Sequence, residues 1–204
     1  KEDTVPEGAD KRIFLLAPGM VGATALLIFA VIPFGPNPMV ITDLNVGVLF
    51  FLAFSSIGVY GVVLGGWASN SKYSLLGGVR AAAQMISYEV ALGLSIIGVI
   101  ILSQSLRLTE IVNHQAGGFW NWNVWYQPVA FILYIICGLA EINRTPFDMP
   151  EAEAELACGT NIKYSSMKFA LFFMAEYAHM VTVGAVAVTL FLGGWQPLLP
   201  QLHF

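Results

Sequence analysis

Three carboxylates, Glu89, Glu141 and Glu176, lie inside or at the edge of long apolar runs, and His179 follows Glu176 by three residues. Hydrocarbon starves an acid of water. Such a group must find a partner, border a water-filled cavity or carry a proton. A carboxylate that can exchange a proton when a nearby charge changes is the raw material of a proton relay. His179 shares a helix face with Glu176 and could extend it. The same residues could also be satisfied polar contacts that only hold helices together, and composition does not separate the two readings. A second concentration of charge runs from Glu141 to Lys168. It holds Glu141, Arg144, Asp148, Glu151, Glu153, Glu155, Lys163 and Lys168, eight charged side chains in a chain with nine basic and 13 acidic residues. Clustered acids beside apolar runs point to a site as readily as to a solvated loop.

Within this stretch, Asp148-Met149-Pro150-Glu151 fits a helix start: an Asp cap, a Pro in the first turn and an acid three places on. Gly159 is a candidate stop. Glu151 and Glu155 would share one face, with Glu153 pointing elsewhere. The helix dipole favours acids in a first turn and accounts for Glu151 and Glu153. It does not account for Glu141, Arg144 or Glu155.

The elements that must position these residues are apolar. The chain of 204 residues is 57% hydrophobic and 11% charged, with several apolar runs near 20 residues, the length a helix needs to cross a bilayer. The fold class is therefore all-α, a polytopic transmembrane helix bundle, because runs this long satisfy their own backbone as helices. About five spans are expected in one membrane domain, over residues 13–34, 44–68, 81–103, 124–140 and 169–192, with a polar loop over 69–80 and a charged loop over 141–168. Pro33, Pro36 and Pro38 end the first span. The second span carries no charge, and its Gly58, Gly61, Gly65 and Gly66 predict close helix packing. Pro128 is expected in the first turn of the fourth span. Trp120, Trp122, Trp125 and Tyr126 read as an interfacial belt.

Five spans put Lys1, Lys11, Arg12, Lys72, Arg80, Arg144, Lys163 and Lys168 on one side and Arg107 alone on the other. By the positive-inside bias the first side is cytoplasmic. Glu89 would lie about 13 Å beyond Arg80, and Glu176 about 12 Å beyond Lys168. All three acids are thus expected in the cytoplasmic half. A formal charge of −4 without a basic stripe argues against nucleic acid. Cys137 and Cys158 have no metal-site spacing, and Cys137 reads as core. No phosphate-binding Gly loop, dinucleotide turn or iron–sulfur Cys cluster is visible, so any electrons would be carried by partners. The chain opens on Lys1-Glu2-Asp3 without an initiator Met, and a piece of a longer protein is expected.

Several long motifs carry a resemblance: Glu141-Ile-Asn-Arg-Thr-Pro-Phe-Asp148, Glu151-Ala-Glu-Ala-Glu-Leu156, Phe169-Ala-Leu-Phe-Phe-Met-Ala-Glu-Tyr177, Gly78-Val-Arg-Ala-Ala-Ala-Gln-Met-Ile-Ser-Tyr-Glu89 and Leu192-Gly-Gly-Trp195. Together they resemble the H-subunit family of bacterial NADH:quinone oxidoreductases, the counterpart of subunit 1 of mitochondrial respiratory complex I, over nearly the whole chain. The resemblance implies an eight-helix membrane protein, here without its first and last two helices, located in the bacterial plasma (inner) membrane. It implies a quinone-binding chamber and coupling of quinone reduction to proton translocation. Arg80, Glu141, Arg144, Asp148, Glu151, Glu153 and Glu155 would match the quinone tunnel, and Glu89, Glu141 and Glu176 the buried acids of the proton path. Lys163 stands where many relatives carry an acid. Quinone would be the substrate. NADH, FMN and iron–sulfur clusters would reside in partner subunits, among them the peripheral-arm quinone module, beside small membrane-arm subunits and lipid. The alternatives are a related subunit of a membrane-bound hydrogenase or other quinone-reducing complex, a proton-coupled transporter, for which no inverted repeat is visible, and a structural anchor.

Overall fold

A computed structural model describes residues 6, 8–36, 39–147 and 164–197. Among them every regular element is a helix. The long ones are α1 (Lys11–Ile28), α2 (Gly47–Ala68), α3 (Lys72–Ser103), α6 (Pro128–Glu141) and α7 (Ser166–Phe191). Two short helices, α4 (Leu108–His114) and α5 (Asn123–Tyr126), and a 3-10 turn at Phe119–Asn121 fill the connection from α3 to α6. Four helices are long and apolar enough to cross a membrane, and α6 is a shorter apolar fifth. The expected all-helical bundle of about five spans is borne out.

Helix ends differ from the sequence-based boundaries for local reasons. The first helix stops at Ile28, because the amides of Phe29, Ala30 and Val31 bond three residues back, at 3.1–3.2 Å, and tighten the last turn. Residues 72–80, expected in a loop, form the opening turns of α3, which runs unbroken for 32 residues. The connection from α2 is correspondingly tight. Asn70 takes a positive φ of 48°, and Gly66 sits so close to α3 that an added Cβ would lie 2.7 Å from the Ser74 carbonyl. Gly61 plays the same part against α1, where a Cβ would lie 2.5 Å from Val21. Packing is what these two glycines of α2 serve.

The expected fourth span breaks at Gln127, whose φ of −136° and ψ of 59° are not helical. A residue before proline is driven from the helical region, so Pro128 opens a new helix at its first position instead of continuing one. The resulting α6 has 14 residues, about 21 Å against a hydrocarbon core of about 30 Å. It therefore starts at one end of the bundle and stops partway through it.

The helices pack in the order α6, α3, α2, α1, α7, and α6 also touches α7, so the five form a ring. The main core fills the end of the ring where α6 begins, around Phe51, Leu92, Ile96, Tyr134, Leu190 and Phe191. A small second core of Phe14, Ala68 and Tyr164 closes the opposite end, with the Phe14 and Tyr164 rings stacked 4.2 Å apart. Between the two cores lies a cavity walled by all five helices. Outward faces keep large apolar side chains such as Leu94 and Ile101 exposed, as lipid-facing surfaces do.

Candidate functional site

The cavity exists because α6 ends where the other helices continue. Its last residue is Glu141. The chain then turns through Ile142 and Asn143, whose φ of 56° is the left-handed conformation that ends many helices. Helix ends leave carbonyls without intrahelical partners, and inside a bundle these must be satisfied by protein. The Ala140 carbonyl accepts the Asn143 amide at 3.3 Å, and Gln84, buried on α3, adds a side-chain donor to it and to the turn beyond. Its Nε2 donates to the Ala140 carbonyl at 2.8 Å, to the Phe147 carbonyl at 2.7 Å and to Asn143 Oδ1 at 3.1 Å. One turn further along α3, Tyr88 packs edge-on against the Phe147 ring, centroids 5.3 Å apart.

Glu141 is only 3% exposed. The Ser55 hydroxyl of α2 donates to its Oε1, and His179 Nε2 of α7 lies 3.2 Å from the same oxygen. Oε2 is buried and has no hydrogen-bond partner among the described residues. The next residue of α2, Ser56, donates to Glu89 Oε1 on α3. Two consecutive hydroxyls therefore hold two carboxylates from different helices. Glu176, one turn before His179, pairs with Arg144 in the turn after α6, with Arg144 Nε 2.6 Å from Oε1. The Arg144 guanidinium also lies 5.5 Å from the centre of the Tyr177 ring.

Glu141, Asn143, Glu176, His179 and Ser55 all line the cavity. Its volume is about 110 Å³, room for several waters at roughly 10–15 Å³ each. Ordinary ligand pockets span about 300–1,000 Å³. The arrangement can hold water against a titratable pair. Among the described residues no three His, Cys, Asp or Glu side chains gather in a way that could bind a metal.

A family model described as NADH dehydrogenase matches residues 1–204. This chain belongs to that family. Over 99% of its length it is 57% identical to an H-type subunit (the one numbered 2) of the NADH-quinone oxidoreductase of Syntrophobacter fumaroxidans, covering 63% of that protein. It is 58% identical to the corresponding H-type subunits of the NADH-quinone oxidoreductases of Geobacter metallireducens and Geobacter sulfurreducens, in each case over 96% of this chain and 61% of the relative. The chain thus spans somewhat less than two thirds of the length of these curated relatives.

For this NADH dehydrogenase family member the structure brings Glu89, Glu141, Arg144, Glu176 and His179 into one layer. Helix α3 begins at Lys72 and α6 stops short, so the layer lies near the middle of the bundle: Glu89 is about 25 Å from the start of α3 and His179 about 20 Å from the start of α7. Arg80 is exposed on α3, immediately before Ala81, which lines the cavity. Asp148, Glu151, Glu153 and Glu155, the helix start proposed at Asp148, and Cys158 and Lys163 lie outside the described residues. Cys137 is buried core. Sequence reasoning missed Ser55, Ser56, Gln84 and Asn143. The available signal was a pair of adjacent hydroxyls and a lone amide in otherwise apolar runs, where a polar side chain must find a partner.

Proposed function

We propose that this chain is part of the membrane subunit of a proton-translocating NADH:quinone oxidoreductase, and that its mid-bundle layer couples quinone reduction to proton movement. The names of the relatives support the enzyme, and one observation carries the coupling role. Glu141 is buried against a small cavity with one oxygen held by Ser55 and His179 and the other without a partner among the described residues. A carboxylate so arranged has one oxygen that fixes its position and one that can take a proton.

In this reading Oε2 of Glu141 is where the proton resides, and cavity water delivers it. Ser55 and His179 hold Oε1 in place, which leaves Oε2 as the oxygen that exchanges the proton. Glu176 and Arg144 form the neighbouring pair, and Arg144 stands four residues before Asp148, the first acid of the charged stretch after the turn. A charge change around Asp148, Glu151, Glu153 and Glu155 can compete for Arg144, free Glu176 and alter the field at Glu141. Glu89 continues the path on the other side of Ser56. Quinone binds outside the small cavity, in a chamber to which Arg80, Arg144 and the 148–155 acids contribute. Electrons come from partner subunits that hold NADH, FMN and iron–sulfur clusters. The basic end of the bundle faces the cytoplasm of a bacterial inner membrane.

The test is Glu141→Gln and Glu176→Gln in the full-length protein within the assembled complex. Both should assemble, and both should lose quinone reductase activity and proton pumping together. Normal pumping by either assembled variant would remove that residue from the path.

A further inference from the structure

We propose that Gln84 is a positioning residue. It braces the backbone-capped end of α6, and so holds Glu141 against Ser55 and His179 and links the 143–147 turn to that carboxylate. The inference rests on the coupling role proposed for Glu141. It starts from hydrogen-bond valence. A carboxamide nitrogen carries two hydrogens, yet Gln84 Nε2 faces three acceptors within 3.1 Å: the Ala140 carbonyl, Asn143 Oδ1 and the Phe147 carbonyl. Its own Oε1 is buried without a partner among the described residues. The side chain is therefore committed wholly through its donors, and all of them go to one short segment 56–63 residues away in sequence.

The Ala140 carbonyl belongs to the residue before Glu141, so holding it fixes where the Glu141 backbone emerges from α6. The Phe147 carbonyl belongs to the residue before Asp148, where the run of acids begins. Gln84 thus ties the two ends of the turn to one point on α3, a helix that runs unbroken past it for 32 residues. Any displacement of the 143–147 turn would have to break or share the Phe147 bond. The donor would then shift toward Ala140 and Asn143, and Glu141 would move with it. Glu89 sits five residues further along the same helix. One helix therefore places one acid directly and the other through an amide.

The test is a double-mutant cycle in the assembled complex, with Gln84→Leu, Ser55→Ala and their combination. Native gels measure assembly, and quinone reductase activity is measured as a function of pH. Ser55→Ala removes a direct support of Glu141, so residues acting on the same carboxylate should not add. We expect Gln84→Leu to assemble, to lose activity about tenfold, and to move the pH profile in the same sense as Ser55→Ala. The double variant should be no worse than the poorer single variant. Multiplying losses, or an unchanged pH profile with Gln84→Leu, would overturn the proposal. Should Gln84→Leu fail to assemble, Gln84→Asn, shorter by one methylene, enters the same cycle with the same two deciding outcomes. A wild-type activity and pH profile for Glu141→Gln would instead remove the underlying coupling role.

Discussion

Two buried polar clusters in this bundle both use Gln side chains and differ in how completely their hydrogen bonds are made. Near the end where α6 begins, Gln115 is fully buried between α4 and α7. Its Nε2 donates to the Thr189 carbonyl at 3.0 Å and the Ile111 carbonyl at 3.3 Å, and its Oε1 accepts from the amides of Asn123 at 3.2 Å and Gly193 at 3.1 Å. Asn123 Nδ2 adds a bond to the Leu190 carbonyl at 2.8 Å. The two donors and two acceptor sites of the Gln115 amide meet their full complement, and neither side chain is charged. The mid-bundle cluster includes carboxylates, one carboxylate oxygen and one amide oxygen lack partners among the described residues, and Glu141 borders a cavity. The complete network specifies one packing of α4, α5 and α7. The incomplete one has capacity left for a proton or a water.

The comparison can be broken by making the same chemical exchange in both clusters. Glu141→Gln keeps shape and removes the titration. The expected result is normal assembly with activity and pumping reduced on the order of 100-fold, the scale of a lost proton-transfer group. The reverse exchange, Gln115→Glu, removes both donors and buries an acid without a cationic partner. It should cost about 3 kcal/mol or more. The amount of assembled complex should fall sharply, while activity per assembled complex stays near normal. If Gln115→Glu assembled well and lost activity instead, the division into structural and titrating clusters would be wrong.

Smaller changes sharpen the contrast. Ser55→Ala removes one of two supports of Glu141 Oε1 and should lower quinone reductase activity about tenfold with a displaced pH profile, the lower end of the roughly 1.5–3 kcal/mol that a hydrogen bond to a charged group contributes. Tyr164→Phe should do least. Burial pushes this phenol up to about 12, so it keeps its proton at any working pH and its hydroxyl donates to the Gly65 carbonyl, 3.3 Å away. A loss of about 1 kcal/mol in stability is expected. With the folded-state pKa raised, the phenol's contribution is present below about pH 10 and declines as pH rises toward 12. The activity profile near neutrality should be unchanged, and a shift there would mean Tyr164 belongs to the titrating cluster.

Much of the fold could be read directly. The spans follow from apolar length, and the identity of the acids from their presence in those runs. Boundaries failed where a local rule competed with hydropathy. The apolar run past Ile28 continues, but the backbone tightens there. Pro128 divides a run that looked continuous because its predecessor leaves the helical region. The 72–80 segment looked like a loop because it is polar and Gly-rich, yet α3 extends through it. Within the site, Glu141, Glu176 and His179 stood out by their chemistry. Ser55, Ser56 and Gln84 did not, since serines and a glutamine in an apolar helix look ordinary until their partners are known.

What the chain alone determined is local: helix-forming apolar runs, an uneven split of basic residues between the two ends, membership in the NADH dehydrogenase family, and which side chains can titrate. The tertiary structure alone decided that α6 halts partway, that consecutive serines of α2 hold acids from α6 and α3, and that Arg144 faces Glu176. The reason is physical. Hydropathy and turn chemistry act over a few residues and are written in order along the chain. The partner of a buried polar group is chosen by how helices pack, and Ser55 and Glu141 are 86 residues apart.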